Sequence, residues 1–156
     1  MLTSTEIERW MHEAIKEANR AMYSKEVPIG CVIIYNNQII GRGYNQVEGL
    51  QDPTAHAEMI AITSASNTIK SRRLNGATIF VTKEPCAMCA GAIVNARIDN
   101  IIFGAYDNEA GSCSSIYQLC KEPRFNHQVK SIHGGILSDE CEFLLKDFFK
   151  KQRDIN

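Results

Sequence analysis

An α/β fold in one domain, 1–156, is what the sequence predicts, and three observations predict it. Two apolar runs flank Asn36-Asn37 as the arms of a β-hairpin. Residues Ala77–Ala105 read as strand, helix, strand, which implies a parallel pair with a right-handed crossover. Helically periodic segments stand at both ends of the chain. At 156 residues the chain is the size of one domain and long enough to bury a core.

Thr5 to Met22 carries Ile7, Trp10, Met11, Ala14, Ile15, Ala18, Ala21 and Met22 at the spacing of one buried helix face. Thr5 and Glu8 form a capping-box pair at its start. Pro28-Ile29-Gly30 leads into the apolar run Cys31–Tyr35, and Gln38–Tyr44 returns as the second hairpin strand. Gln46 to Asp52 is a polar loop. Asp52-Pro53 opens a helix, with Asp52 or Thr54 as its cap, running to about Ser66. Ala77–Thr82 is a compact strand, Glu84-Pro85 starts a helix through Ala96, and Asn100–Ala105 is a further buried strand. Tyr106–His127 is looser, with a short helix expected near Ser115–Leu119. Val129–Ile132 reads as an edge strand. Ser138 to about Arg153 is a last helix with Cys141, Leu144, Leu145, Phe148 and Phe149 on one stripe, and Phe143 off it.

Composition narrows the functional classes. The chain is 44% hydrophobic and 22% charged, the balance of an ordinary soluble protein. No apolar run approaches membrane-spanning length, and the polar N-terminus is not a secretory signal, so a cytoplasmic protein without a membrane partner is expected. With that location, six cysteines suit a metal site better than a disulfide framework. A net charge of −1 means that any nucleic-acid contact must rest on local basic patches.

Two stretches carry chemistry: His56-Ala57-Glu58 and Pro85-Cys86-Ala87-Met88-Cys89. Cys86 and Cys89 stand three apart at a helix start, where both thiols face one side and the helix N-terminus favours the thiolates that zinc requires. His56 and Glu58 are two apart, a spacing that diverges in mid-helix but converges at a helix tip with the metal beyond it. One imidazole and two thiolates leave a fourth position open for water, as in a catalytic zinc site. His12, His127 and His133 could each be proposed as a fourth ligand, but none stands beside another at finger-like spacing. The expected reaction is hydrolytic deamination, with the metal activating water and Glu58 shuttling the proton as general base and then acid. Backbone amides at the helix tips would steady the developing charge.

The resemblance to a known family rests on more than that signature, which recurs among zinc-dependent nucleobase deaminases. VPIGCVII, DPTAHAEMIAI, LNGATIFVTKEPCAMCAGAIVNARI, IIFGAYDNEAGS, FNHQV, GGILSDEC and LLKDFFKKQR together resemble bacterial tRNA-specific adenosine deaminases over nearly the whole chain. The resemblance implies a cytidine-deaminase-like three-layer α/β/α sandwich with a central mixed five-stranded sheet. It implies a homodimer with one zinc per subunit, held by His56, Cys86 and Cys89, with Glu58 as proton shuttle. It implies conversion of adenosine to inosine at the first anticodon position, with the anticodon stem-loop of a tRNA as partner and no other protein. Carried over position by position, Asn45 would hydrogen-bond the flipped nucleoside, and Ala57 would meet the substrate. Asp107 would lie near the RNA backbone, and Asn126 and His127 would line the RNA site. Lys150 and Arg153, with Lys146 and Lys151, would give the last helix a basic end for phosphates. Plainer roles stand beside these: a strand-ending turn for Asn45, a turn pair for Asp107-Asn108, a solvated loop for His127, and core packing for the last helix's apolar stripe.

Lys83 and Tyr106 occupy positions that are often apolar and often basic or polar, respectively, in that family. Cys31, Cys113, Cys120 and Cys141 lack ligand spacing and read as small buried or incidental thiols. Two rival functions share much of this pattern: a deaminase of a free base or nucleoside of guanine or cytosine type, and a non-catalytic zinc module that binds RNA or protein. His56 argues against the cytidine type, which often has cysteine there.

Overall fold

The hairpin forms where the sequence places it. β1 (Gly30–Tyr35) and β2 (Gln38–Tyr44) pair antiparallel, and Asn36 and Asn37 close the loop with φ of 50° and 59°. Two left-handed residues in succession are what a type I′ turn demands, and Asn tolerates that region. The computed structural model describes residues 1–155. β3 (Thr78–Lys83) lies antiparallel to β1 and parallel to β4 (Asn100–Ala105), to which it is joined through α4 (Ala87–Asn95). β5 (Ser131–His133) adds parallel to β4, giving a mixed five-stranded sheet in the order β2-β1-β3-β4-β5.

Side-chain alternation along the central strands builds two cores. Val32 and Ile34 of β1, Phe80 of β3 and Ile102 of β4 face Trp10, Met11, Ala14 and Ile15 of α1 (Ser4–Tyr23) and Cys141 of α5 (Ser138–Ile155). Cys31, Ile33, Ile79, Val81, Ile101 and Phe103 face the other way, onto α3 (Ala57–Ile69) and α4. The period of two thus produces the three layers expected from the resemblance.

The layer that carries the site rests directly on the sheet. A Cβ built on Gly43 would lie 2.3 Å from the Ala57 carbonyl oxygen, and one on Gly41 would lie 2.4 Å from that of Ala61. Only glycine at these two points of β2 lets the α3 backbone rest directly on the strand.

Several boundaries differ from the sequence reading. α1 is capped by Thr3, not Thr5: the Thr3 hydroxyl accepts from the Glu6 amide, and the Glu6 carboxylate accepts from the Thr3 amide. The T-x-x-E spacing occurs twice, and the earlier copy also puts Leu2 and Ile7 at the hydrophobic-staple positions, where both pack on the core. α3 does not begin at Pro53. The Asp52 carboxylate accepts from the amide and hydroxyl of Thr54, a local turn that keeps the chain out of helix until Ala57. The expected polar loop holds one helical turn, α2 (Val47–Leu50), pinned by Glu26, whose carboxylate accepts from the Glu48 and Gly49 amides. The short helix expected near Ser115 is instead a 3₁₀ turn at Leu119–Lys121, and β5 starts two residues later than expected. α3 runs on to Ile69, where Lys70 turns left-handed with φ 58°.

Gly43→Ala is expected to cost about 2 kcal/mol or more, because the added methyl meets backbone rather than a side chain that can move. Chemical denaturation would measure it. Metal affinity should fall in the same variant, since the displaced turn of α3 carries His56 and Glu58.

Candidate active site

Both segments stand at helix N-termini, that of α4 reached from β3 and that of α3 from the turn at Asp52–Thr54. His56 is the N-cap of α3 (φ −74°, ψ 154°) and Cys86 is the N-cap of α4 (φ −76°, ψ 178°). Extended backbone at a cap lets its side chain project beyond the helix tip. Glu58 and Cys89 then fall in the first turns behind them. His56 Nδ1 lies 3.6 Å from Cys86 Sγ and 3.5 Å from Cys89 Sγ. The three donor atoms all lie within 4.8 Å of one another and could hold a metal ion. Among the described residues no other group of three such side chains converges, and His12, His127 and His133 lie outside this one.

The electrostatics of the cluster follow from that packing. The Cys86 thiol is pulled down to about 4 by a hydrogen bond from the Cys89 thiol, helped by His56. Cys89 is pushed up because it is the donor in that pair and is buried. His56 is raised by its hydrogen bond to Cys86. Glu58 is buried, and burial raises its carboxyl above the usual carboxylate range.

His56, Ala57 and Glu58 open on a cavity of about 670 Å³ shared with Asn45 and Lys83. Asn45 is buried, its amide nitrogen donates to the Val27 carbonyl at 3.4 Å, and its Oδ1 has no hydrogen-bond partner. The structure therefore gathers Asn45, His56, Ala57 and Glu58 in one place. Asp107 joins the wall indirectly, through an ion pair with Lys83 at 3.3 Å. Asn126 and His127 are not part of the cavity lining: Asn126 accepts from Arg97, and His127 Nε2 lies 2.8 Å from the Ile98 carbonyl. Lys150 and Arg153 are exposed on α5, beside residues that do reach the cavity.

Those neighbours are what the sequence reading missed. Phe148, Phe149 and Gln152 line the cavity, and Phe149 is 41% exposed. Cys141, Leu144, Leu145, Phe148 and Phe149 keep the i, i+3, i+4, i+7, i+8 spacing of one broad apolar face, so the pattern alone did not show that its last turn leaves the core for a cavity.

The MafB19-like deaminase family model matches residues 5–153. The chain is 45% identical over 149 residues to the tRNA-specific adenosine deaminase of Bacillus subtilis (strain 168), covering 96% of this chain and 92% of that one. It is 42% identical over 147 residues to the tRNA-specific adenosine deaminase of Aquifex aeolicus (strain VF5), covering 94% and 96%. The chain belongs to the tRNA-specific adenosine deaminase family. A solved structure from work on A-to-I editing by tRNA:A34 deaminases at the wobble position of transfer RNA matches with a TM-score of 0.84 and 36% identity, over 88% of this chain and 99% of that one. A structure of guanine deaminase from Bacillus subtilis matches less of the chain, 64% of each, with a TM-score of 0.61 and 34% identity.

In this tRNA deaminase relative a second buried carboxylate braces the cysteine segment. Glu84 is 2% exposed and accepts from the amides of Asp107, Cys113, Ser114 and Ser115 and from the Ser115 hydroxyl. Ser112 N–H donates to the Pro85 carbonyl beside it. The loop after β4 is thereby wrapped around the residue two before Cys86. Burial would raise Glu84, but the hydrogen bonds from Ser115, Asp107 and Ser114 outweigh it and hold the carboxyl below its ordinary value. A depressed carboxyl stabilises the fold above the unfolded pKa of about 4.3, and that stability is lost as pH falls through the folded value. Glu84→Gln should therefore cost at least about 2 kcal/mol near pH 7, because a buried charged acceptor is removed. The gap to wild type should narrow below pH ~4, and denaturation curves across that range would show it.

Proposed function

We propose that this chain is a zinc-dependent hydrolase that converts adenosine to inosine at the wobble position of a tRNA, acting as a single-domain subunit of a cytoplasmic homodimer. The observation that carries the reading is that His56, which stands with Cys86 and Cys89 in a group able to hold a metal, shares one cavity with a buried carboxyl raised by burial and with a residue whose amide oxygen has no partner.

The donors fit zinc. A tetrahedral centre with Zn–N near 2.1 Å and Zn–S near 2.3 Å needs N···S separations of roughly 3.6 Å, and the two here are 3.6 and 3.5 Å. His56 Nδ1, Cys86 Sγ and Cys89 Sγ would hold one zinc per subunit, which when bound supplies Lewis acidity toward water. Glu58 takes one proton from the water and passes it to the ring nitrogen, then takes the second from the oxygen now bonded to the ring carbon and delivers it to the departing amine, so that water and adenosine become inosine and ammonia. A carboxyl raised toward neutrality is suited to both halves of that exchange. Asn45 Oδ1 accepts a hydrogen bond from the flipped nucleoside, which satisfies an oxygen otherwise buried at a cost of about 1–3 kcal/mol. Ala57, in the first turn of α3, packs against the base. The base must leave its stack to reach this depth.

RNA contacts outside the cavity are assigned by resemblance and by position. Lys150 and Arg153 stand on the helix whose Phe148, Phe149 and Gln152 form part of the cavity wall, so phosphates arriving at the mouth meet them. Asp107 meets the backbone on the side of Lys83. Asn126 and His127 serve the RNA surface beyond the cavity.

Glu58→Gln should keep metal content and melting behaviour while inosine formation from a wobble-adenosine anticodon stem-loop falls by at least about 10²–10⁴. Turnover retained in that variant contradicts the proton-shuttle role. Wild-type protein that ignores the stem-loop but deaminates free guanine or cytosine contradicts the tRNA reading.

A further inference from the structure

Lys83 has no duty in the mechanism above, yet it lines the cavity that holds His56 and Glu58. It ends β3, paired in register with Ala105 of β4. Its Nζ lies 3.3 Å from Asp107 Oδ2, with the lysine side chain 30% exposed. Asp107 is itself fixed: its Oδ1 accepts from the Glu109 and Ala110 amides at 3.0 and 3.1 Å, and its own amide donates to Glu84. The acceptor that tethers the ammonium is therefore a rigid post rather than a second mobile side chain.

Stability does not explain this arrangement, since a partly exposed ion pair contributes about 0–1 kcal/mol. Asp107 is already hydrogen-bonded without the lysine. An ammonium has three N–H donors, of which one is directed at Asp107. The others meet no acceptor among the described residues and are available to one entering the cavity that Lys83 lines with His56 and Glu58. The adenine ring is neutral, so the anion that accompanies the edited adenosine is its phosphodiester. Holding the cation in place beforehand reduces the ordering cost of binding that phosphate.

We propose that Lys83 is a specificity-determining residue that grips a phosphodiester adjoining the edited adenosine, and so selects a polynucleotide over a free nucleoside or base. This rests on the tRNA reading above and deepens it.

The test uses the full zinc-loaded chain, a stem-loop with wobble adenosine, and two further stem-loops bearing a neutral methylphosphonate on the 5′ or 3′ side of that nucleoside. Lys83→Met should lower kcat/KM about tenfold, with the loss mainly in KM. The slope of log KM against log salt between about 50 and 200 mM should fall by about one. Lys83→Arg should restore most of both. One of the two methylphosphonates should cost wild type a similar factor and cost Lys83→Met nothing more. The proposal is overturned if Lys83→Met keeps the wild-type kcat/KM and salt slope. It is overturned equally if neither methylphosphonate affects wild type, a result that does not depend on how well the variant folds. Wild-type protein that makes no inosine from the unmodified stem-loop would instead remove the underlying reading, and this proposal with it.

Discussion

Cys86 Sγ and His56 Nδ1 are brought to 3.6 Å from positions thirty apart in the chain. Neither side chain could be placed by its own helix alone. α3 reaches its position because Gly41 and Gly43 let its backbone rest on β2, and α4 reaches its position because it bridges the parallel strands β3 and β4. The two helix tips then meet over the sheet, and each N-cap sends its side chain past the end of its helix. Helix N-termini favour thiolates, and the thiol that is lowered is that of Cys86, the N-cap of α4.

Two buried glutamates show how environment divides labour at this site. Glu84 is surrounded by N–H and O–H donors and is held as a carboxylate, which makes it a brace for the loop from Asp107 to Ser115. Glu58 is buried beside sulfur and imidazole, and burial raises its carboxyl, which suits it to carry a proton. The loop that Glu84 fixes in turn holds Asp107, and Asp107 holds the Lys83 ammonium on the cavity wall. The brace thus links the fold of the cysteine segment to the wall of the cavity.

The hairpin, the strand–helix–strand unit and both terminal helices were legible because each has a strong local period or turn signal. So was the convergence of His56, Cys86 and Cys89 into a group that could hold a metal ion, because Cys86 and Cys89 stand at a proline-marked helix start. The start of α3 was misplaced for a local reason: Asp52 bonds Thr54 rather than capping a helix, and this delay is what puts His56 at the N-cap. The loop from Tyr106 to His127 was barely legible, since its order comes from a carboxylate more than twenty residues upstream. Phe149 was read as core because it continues the apolar stripe of the last helix, and nothing in that period shows that the final turn runs past the core to a cavity. Asn45 was legible only through family resemblance, and its unpartnered Oδ1 is a property that only three dimensions reveal.

The measurement that bears most directly on this account is X-ray absorption at the zinc edge of the metal-loaded full chain, with zinc content measured alongside. One zinc per chain bound by two sulfurs, one histidine nitrogen and one further light atom is the predicted result, an open site built by two helix tips. A fourth protein ligand, whether a third sulfur or a second histidine, would contradict it and make the centre structural. Failure to bind zinc would contradict it as well.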